Sequence, residues 1–284
     1  MQTEWMFDPV LFSIGPLQVR WYGLMYVAGY VLGGWIAAKL ARKGFFNVPP
    51  EKVDSLITHL IIGMFIGARF FYVFIYNWAD YSNDLMGIFQ VWKGGLSFHG
   101  ALTGIIIGGY LFGKKNGCSI GEVMDVVALA GAPGLFFGRM GNFINGELYG
   151  RVTDSPFGMM FPGGGPYPRH PSQLYEAIFE GLVLSMILWF IYIKIRPKVY
   201  GVIASWFLMG YAFFRFFIEF FREADAQLGY YFGGMITMGQ ILCFLMFLVG
   251  LLALFLTKKM NWEIVYPDLP EGANTPSNPS PTNN

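Results

Sequence analysis

MITMGQILCFLMFLVGLLALFL, Met235 to Leu256, contains no charged residue and ends against Lys258 and Lys259. A helix rises about 1.5 Å per residue and the bilayer core is about 30 Å thick, so roughly 20 apolar residues in a row span it. A soluble helix of that length would need a polar face. The stretch therefore predicts a membrane-crossing helix. Working outward, similar runs recur at 21–39, 55–76, 97–113, 123–143, 173–193 and 201–221, divided by polar, Pro- and Gly-rich pieces. The expected fold is an all-α integral membrane protein of about seven transmembrane helices.

The rest of the chain has the same character. Of 284 residues, 55% are hydrophobic, 19% aromatic and 13% charged, where an ordinary soluble domain carries about 25% charged residues. A net charge of +1 gives no bulk attraction for nucleic acid, and no nucleic-acid motif is present, so that partner is excluded. Cys118 falls in a short loop and Cys243 in an apolar run, far apart in sequence, and the reading gives no disulfide and no metal site. Met1 to Leu17 holds Glu4, Asp8, two prolines and no basic stretch, unlike a cleavable signal peptide.

Three parts are expected: an outer interfacial segment 1–20, a membrane domain 21–257, and a tail 258–284 whose Pro, Asn, Ser and Thr are too poor in apolar residues to fold. The membrane domain includes a small extracytoplasmic cap at about 144–172, rich in proline and glycine from Pro156 to Pro168. With the N-terminus outside, the cytoplasmic segments hold Lys39, Arg42, Lys43, Lys52, Lys114, Lys115, Lys194, Arg196, Lys198, Lys258 and Lys259, which is 11 of the 19 basic residues. Basic residues collect on the cytoplasmic side, so the expected topology is N-out, C-in. Trp21, Tyr22, Tyr76, Trp78 and Trp92 near the span ends fit an interfacial belt.

Arginine is distributed differently. Arg20, Arg69, Arg139, Arg151, Arg169, Arg215 and Arg222 fall on or near the outer half. A guanidinium at membrane depth is costly unless paired, and its planar fork matches carboxylate or phosphate. An anion site towards the outer leaflet would supply that pairing.

Three stretches could carry chemistry. In the sixth run, Tyr211, Arg215, Glu219 and Arg222 are spaced four, four and three apart and share one helical face. The plainer reading is an Arg215–Glu219 pair that lets the helix insert. The functional reading rests on number, since three ionisable residues exceed what insertion needs. At the end of the fourth run, Gly138 to Gly150 interleaves glycines with Arg139, Asn142, Asn145 and Glu147. This is either a helix end whose Asn side chains satisfy carbonyls or a head-group clamp. The third run opens with Gly94-Gly95-Leu96-Ser97-Phe98-His99-Gly100, and Gly104 and Gly108 continue a stripe for close helix packing. His99 is either a satisfied hydrogen-bonder or a proton acceptor, and the sequence leaves both open. His59 is assigned to packing, and Arg69, with Tyr72 and Tyr76 near its face, could join the anion site.

Trp21 to Tyr26, Gly94 to Gly100, Gly138 to Gly150, Arg169 to Glu176 and Phe214 to Arg222 together resemble the prolipoprotein diacylglyceryl transferase family, in the family's order, from about residue 8 to 257. The resemblance implies a membrane enzyme of the bacterial cytoplasmic (inner) membrane with its active site towards the outer leaflet. Such an enzyme moves diacylglyceryl from phosphatidylglycerol to the lipobox cysteine thiol of a prolipoprotein and releases glycerol phosphate. It needs no cofactor, metal or nucleotide. Carried over, the resemblance puts Arg139, Asn142, Glu147 and Gly150 in the signature, His99 as base, Tyr211, Arg215 and Glu219 on the second polar face, and Tyr22 and Arg69 at further substrate-binding positions. The run Pro162 to Pro168 is shorter than in some relatives.

The chemistry fits those residues. A thiol with pKa near 8.5 must lose its proton to attack the glyceryl carbon, and the leaving phosphodiester oxygen takes up negative charge. His99, directly or through Tyr22, would accept the proton. Arg139 and Arg215 would hold the phosphate, with Glu219 and Glu147 orienting them. The same residues also admit a membrane lipid or anion transporter with an outer-half arginine site, although no inverted repeat is evident, or a scaffold with structural ion pairs.

Overall fold

A computed structural model describes residues 7–15, 17–82, 84–90, 94–223, 230–231, 236–260 and 262–264. Residues 1–6, Trp92 of the expected belt, and the expected disordered tail from 265 onward lie outside the described residues. Within the described part of that tail, Ile264 is buried.

Each of the seven apolar runs is a helix: α1 Trp21–Arg42, α2 Pro50–Tyr76, α3 Phe98–Asn116, α4 Ile120–Ile144, α5 Ser172–Ile195, α6 Val202–Ile218 and α7 Met238–Thr257. Five of them, α1, α2, α4, α5 and α7, are long and apolar enough to cross a membrane, and α6 is a shorter apolar helix. The chain is an all-α integral membrane protein in architecture. All seven expected runs are helices; α6 is shorter than the five, and α3 carries Gly100, Gly104, Gly108, Gly109 and Gly113 among its buried residues.

The helix ends follow from local chemistry. Ser97 caps α3 by accepting from Gly100 N at 3.1 Å, and Gly117 at φ 75° closes its other end. Thr237 and Gln240 form a reciprocal capping box at the start of α7. The sixth run was expected to continue to 221, but α6 stops at Ile218. Beyond it Arg151 takes the free carbonyls, with its backbone N–H on Phe221, its Nε on Arg222 at 2.5 Å and its NH2 on Glu219. The segment 1–20 contains a feature absent from the expectation, an antiparallel hairpin of β1 Val10–Ile14 and β2 Leu17–Arg20, turned at Gly15 with φ 58°. A two-residue pair, β3 Tyr230–Tyr231 and β4 Ile236–Thr237, precedes α7.

The chain divides into two compact units. One comprises Met1–Ile36 and Val127–Asn261, the other Ala37–Val126 and Trp262–Asn284. In the second unit, α2 and α3 pack backbone to backbone. A Cβ added at Gly104 would collide with the Gly63 carbonyl, and one at Gly67 with that of Gly100. Small residues four apart on both helices permit this approach, as the stripe in α3 predicted. In the first unit, α6 packs along α7 and against α5. There α5 widens into π-helical turns at Ala177–Val183, just where its two carboxylates sit. Such turns often accompany functional sites.

Candidate functional site

The first unit holds a network of three arginines and three carboxylates drawn from α4, α5 and the end of α6. Glu176 is its centre, only 1% exposed at the side chain. Its Oε2 lies 2.6 Å from Arg139 Nε, and its Oε1 lies 2.8 Å from Arg215 NH1 and 2.6 Å from Arg222 NH1. Glu219 Oε2 is 3.2 Å from Arg215 NH2 and 3.6 Å from Arg222 Nε, while its Oε1 accepts from Thr237 Oγ1 at 3.1 Å. Glu180 is fully buried and lies 3.9 Å from both Arg139 and Arg215. Neither of its carboxylate oxygens has a hydrogen bond among the described residues. Tyr211 lies in the electrostatic reach of Glu180, Arg139 and Arg215.

Three cations and three carboxylates make the network formally neutral. The carboxylates are the buried members, whereas the arginine side chains keep 16 to 22% of their surface accessible. The cationic edge is therefore the more accessible one. At low dielectric, guanidiniums held in place by fixed partners bind an arriving anion with little reorganisation.

Beside it stands a hydrogen-bonding patch around a single carboxylate, Glu147. Asn142 and Asn145 donate to Glu147 Oε1 at 2.8 and 3.3 Å. Tyr22 packs on Gly141 and reaches Asn142, and its hydroxyl is 2.9 Å from that of Tyr26. Glu147 was expected to orient the arginines; it instead fixes the two asparagines. Gln173 Nε2 donates to the Glu147 carbonyl at 2.5 Å and Ser172 Oγ to that of Leu148 at 3.0 Å, which ties this loop to the start of α5. Gly150 bridges to Arg222. A Cβ at Gly150 would strike the Phe221 carbonyl and His170, so only glycine fits there.

A sequence profile described as prolipoprotein diacylglyceryl transferase matches residues 9–256. The chain belongs to this family. Among the relatives that carry the name phosphatidylglycerol--prolipoprotein diacylglyceryl transferase, the Oleidesulfovibrio alaskensis protein is 50% identical over 86% of this chain and 91% of its own length. The Pasteurella multocida protein is 49% identical over 86% and 90%, and that of Vibrio parahaemolyticus 49% identical over 86% and 89%. The expected family is thus the one found, and membership makes the chain a membrane transferase of lipoprotein biosynthesis.

Of the residues the family resemblance singled out, the structure brings together Arg139, Tyr211, Arg215 and Glu219, and separately Tyr22, Asn142 and Glu147. His99 and Arg69 lie in the second unit. His99 Nδ1 is 3.0 Å from the Tyr76 hydroxyl. Arg69 is buried among backbone carbonyls. His59, assigned to packing, lies edge-on to Phe112 and donates from Nδ1 to the Ser55 carbonyl at 2.7 Å.

Glu176 and Glu180 were missed as site residues, and Arg222 was left out of the binding set. The signal was present, because two carboxylates four apart inside an apolar run call for buried cations.

Of the enzyme's own thiols, Cys243 is buried in α7 within electrostatic reach of Arg215, Glu219 and Glu180. Cys118 is buried on the loop after α3, and burial, with Glu122 beside it, pushes its thiol up to about 12.

Proposed function

We propose that this chain transfers the diacylglyceryl group of phosphatidylglycerol to the cysteine thiol of a prolipoprotein lipobox, the first step of lipoprotein maturation. The observation that carries this reading is the arginine trio Arg139, Arg215 and Arg222, anchored on buried Glu176 with its outer edge accessible. A monoanionic phosphodiester suits that edge, and a planar fork suits its paired oxygens.

In the proposed reaction the thiol proton passes to His99, and the sulfur attacks the glyceryl carbon that bears the phosphodiester. A C–S bond forms, the C–O bond breaks, and the electron pair leaves on the phosphate oxygen as glycerol phosphate. Arg139 and Arg215 stabilise that charge as it develops. Asn142, Tyr22 and the Gly150 backbone would line the head-group side, with Tyr211 in electrostatic reach of Arg139 and Arg215. The placement suits the base role because Tyr76 engages one ring nitrogen of His99 and leaves the other to accept.

The reading includes N-out, C-in topology in the bacterial inner membrane, an outer-leaflet site, and a catalytic domain spanning 21–257. Its support is the lysine distribution and the arginines that fall on or near the outer half of the apolar runs in the sequence.

The test uses purified protein in micelles containing phosphatidylglycerol and a lipobox peptide, with the peptide followed by mass. A diacylglyceryl mass gain with release of glycerol phosphate is expected. Absence of gain with phosphatidylglycerol, or equal gain with phosphatidylethanolamine, overturns the assignment.

A further inference from the structure

Arg69 has five N–H bonds, and the second unit supplies a protein acceptor for each of them. Nε donates to the Ile88 carbonyl at 2.8 Å, NH1 to Gly94 and Gly95 at 2.8 and 3.1 Å, and NH2 to Gly87 at 2.7 Å and to the Tyr81 hydroxyl at 3.4 Å. The side chain is also stacked over Tyr81 at 5.2 Å and near Tyr72 at 5.8 Å. With 7% exposure and its donors spent, it has no fork left for a phosphate. The family resemblance implied a substrate-binding role at this position, and the geometry points elsewhere.

What Arg69 grips is the backbone that leads into α3. Gly94 and Gly95 sit at φ 84° and 85°, a conformation that turns both carbonyls to one guanidinium nitrogen, and a Cβ at Gly95 would run into the Tyr72 ring. Two residues later Ser97 N donates to the Ala68 carbonyl at 3.0 Å, next to Arg69 itself, and Ser97 then caps α3. His99 follows within the first turn, its ring set by Tyr76 from the same α2 helix. The register of His99 is thus fixed at both ends from α2, by Arg69 through the backbone and by Tyr76 through the ring.

We infer that Arg69 is a positioning residue for His99 rather than a contact for the lipid phosphate. The inference rests on His99 serving as the base. Lysine at this position keeps the charge but cannot reach five acceptors in a plane.

The experiment is a double-mutant cycle on the full-length enzyme, combining Arg69→Lys with His99→Gln, alongside the histidine 15N spectrum of the wild type and Arg69→Lys. Expected are a loss in kcat of about tenfold or more for Arg69→Lys, KM for phosphatidylglycerol changed less than about twofold, and no further loss when His99→Gln is already present. The His99 15N resonances should move in Arg69→Lys. Gly95→Ala, which disturbs the same carbonyls without touching charge, should reproduce the kinetic loss if Arg69→Lys folds poorly. A raised KM with kcat intact, full additivity with His99→Gln, or unmoved His99 resonances each overturns the inference. Moved resonances together with a fully active His99→Gln enzyme keep the positioning geometry and reject His99 as base, so the two failures are distinguishable.

Discussion

Glu176 Oε2 stands 2.6 Å from Arg139 Nε, and the other oxygen of the same carboxylate serves Arg215 and Arg222. One side chain of α5 thereby fixes guanidiniums from α4 and from the end of α6. Glu176→Gln keeps the shape but leaves three arginines facing two carboxylates. Removing one partner of a buried ion pair costs about 3 kcal/mol, so the melting temperature in detergent should fall by several degrees and turnover by more than tenfold. An unchanged melting curve would show that the trio is held by other contacts.

Arg215→Lys should be nearly as damaging as Arg215→Ala, because Arg215 uses NH1 for Glu176 and NH2 for Glu219, a division that a single ammonium cannot reproduce. The double variant Arg215→Leu with Glu219→Leu leaves Arg139 and Arg222 balanced by Glu176 and Glu180. It should fold and be inactive. A folded and active double variant assigns Arg215 to insertion alone and shifts the phosphate contact to Arg139.

His99→Gln should preserve folding and lipid binding while lowering turnover by roughly two orders of magnitude or more, as expected for a lost general base. Because the substrate thiol also ionises as pH rises, the informative comparison is between the pH profiles of the two proteins. Turnover of the variant close to wild type would leave His99 a packing residue.

Topology can be read by thiol labelling. A cysteine at Asn116 should react only from the cytoplasm. On the cap Gly164 is enclosed by Phe161 and Arg169, so Tyr167, 62% exposed, is the better position, and a cysteine there should react only from outside. Labelling of the Tyr167 position from the cytoplasm reverses the orientation.

His170 packs edge-on to Phe221 in the cap, and burial holds its pKa below the usual histidine range. A group depressed on folding favours the neutral form. Its stability contribution is therefore present above the unfolded value near 6.5 and is lost as pH falls below it. Melting between about pH 8 and pH 5 should show a small loss in wild type that His170→Gln flattens. The same slope in both proteins would place the titrating group elsewhere.

The seven helices were legible because apolar length is a local property: the runs expected at 55–76 and 123–143 became Pro50–Tyr76 and Ile120–Ile144 with small shifts at the ends. Arg139 and Arg215 were legible as a pair because charge inside a membrane is rare enough to demand a partner. Which partner was not legible. Glu219, four residues from Arg215 on its own chain segment, was visible, whereas Glu176 meets Arg139 and Arg215 across helices distant in sequence. Arg69 misled for a different reason. Its acceptors are backbone carbonyls, which carry no residue signature, so a fully satisfied guanidinium read as one in search of an anion. The hairpin of Val10–Ile14 and Leu17–Arg20 escaped because its strands are short and, among the described residues, pair with each other.

Cys118 is buried, and burial with Glu122 beside it pushes its thiol up to about 12, which disfavours the nucleophilic thiolate. Cys243, the chain's other cysteine, is also buried, inside α7. An enzyme that alkylates thiols gains from keeping its own sulfurs away from the reacting lipid carbon. Here immunity to self-modification is built in by hiding both sulfurs. The enzyme's mass should therefore stay constant through many turnovers, without a lipid adduct on either residue.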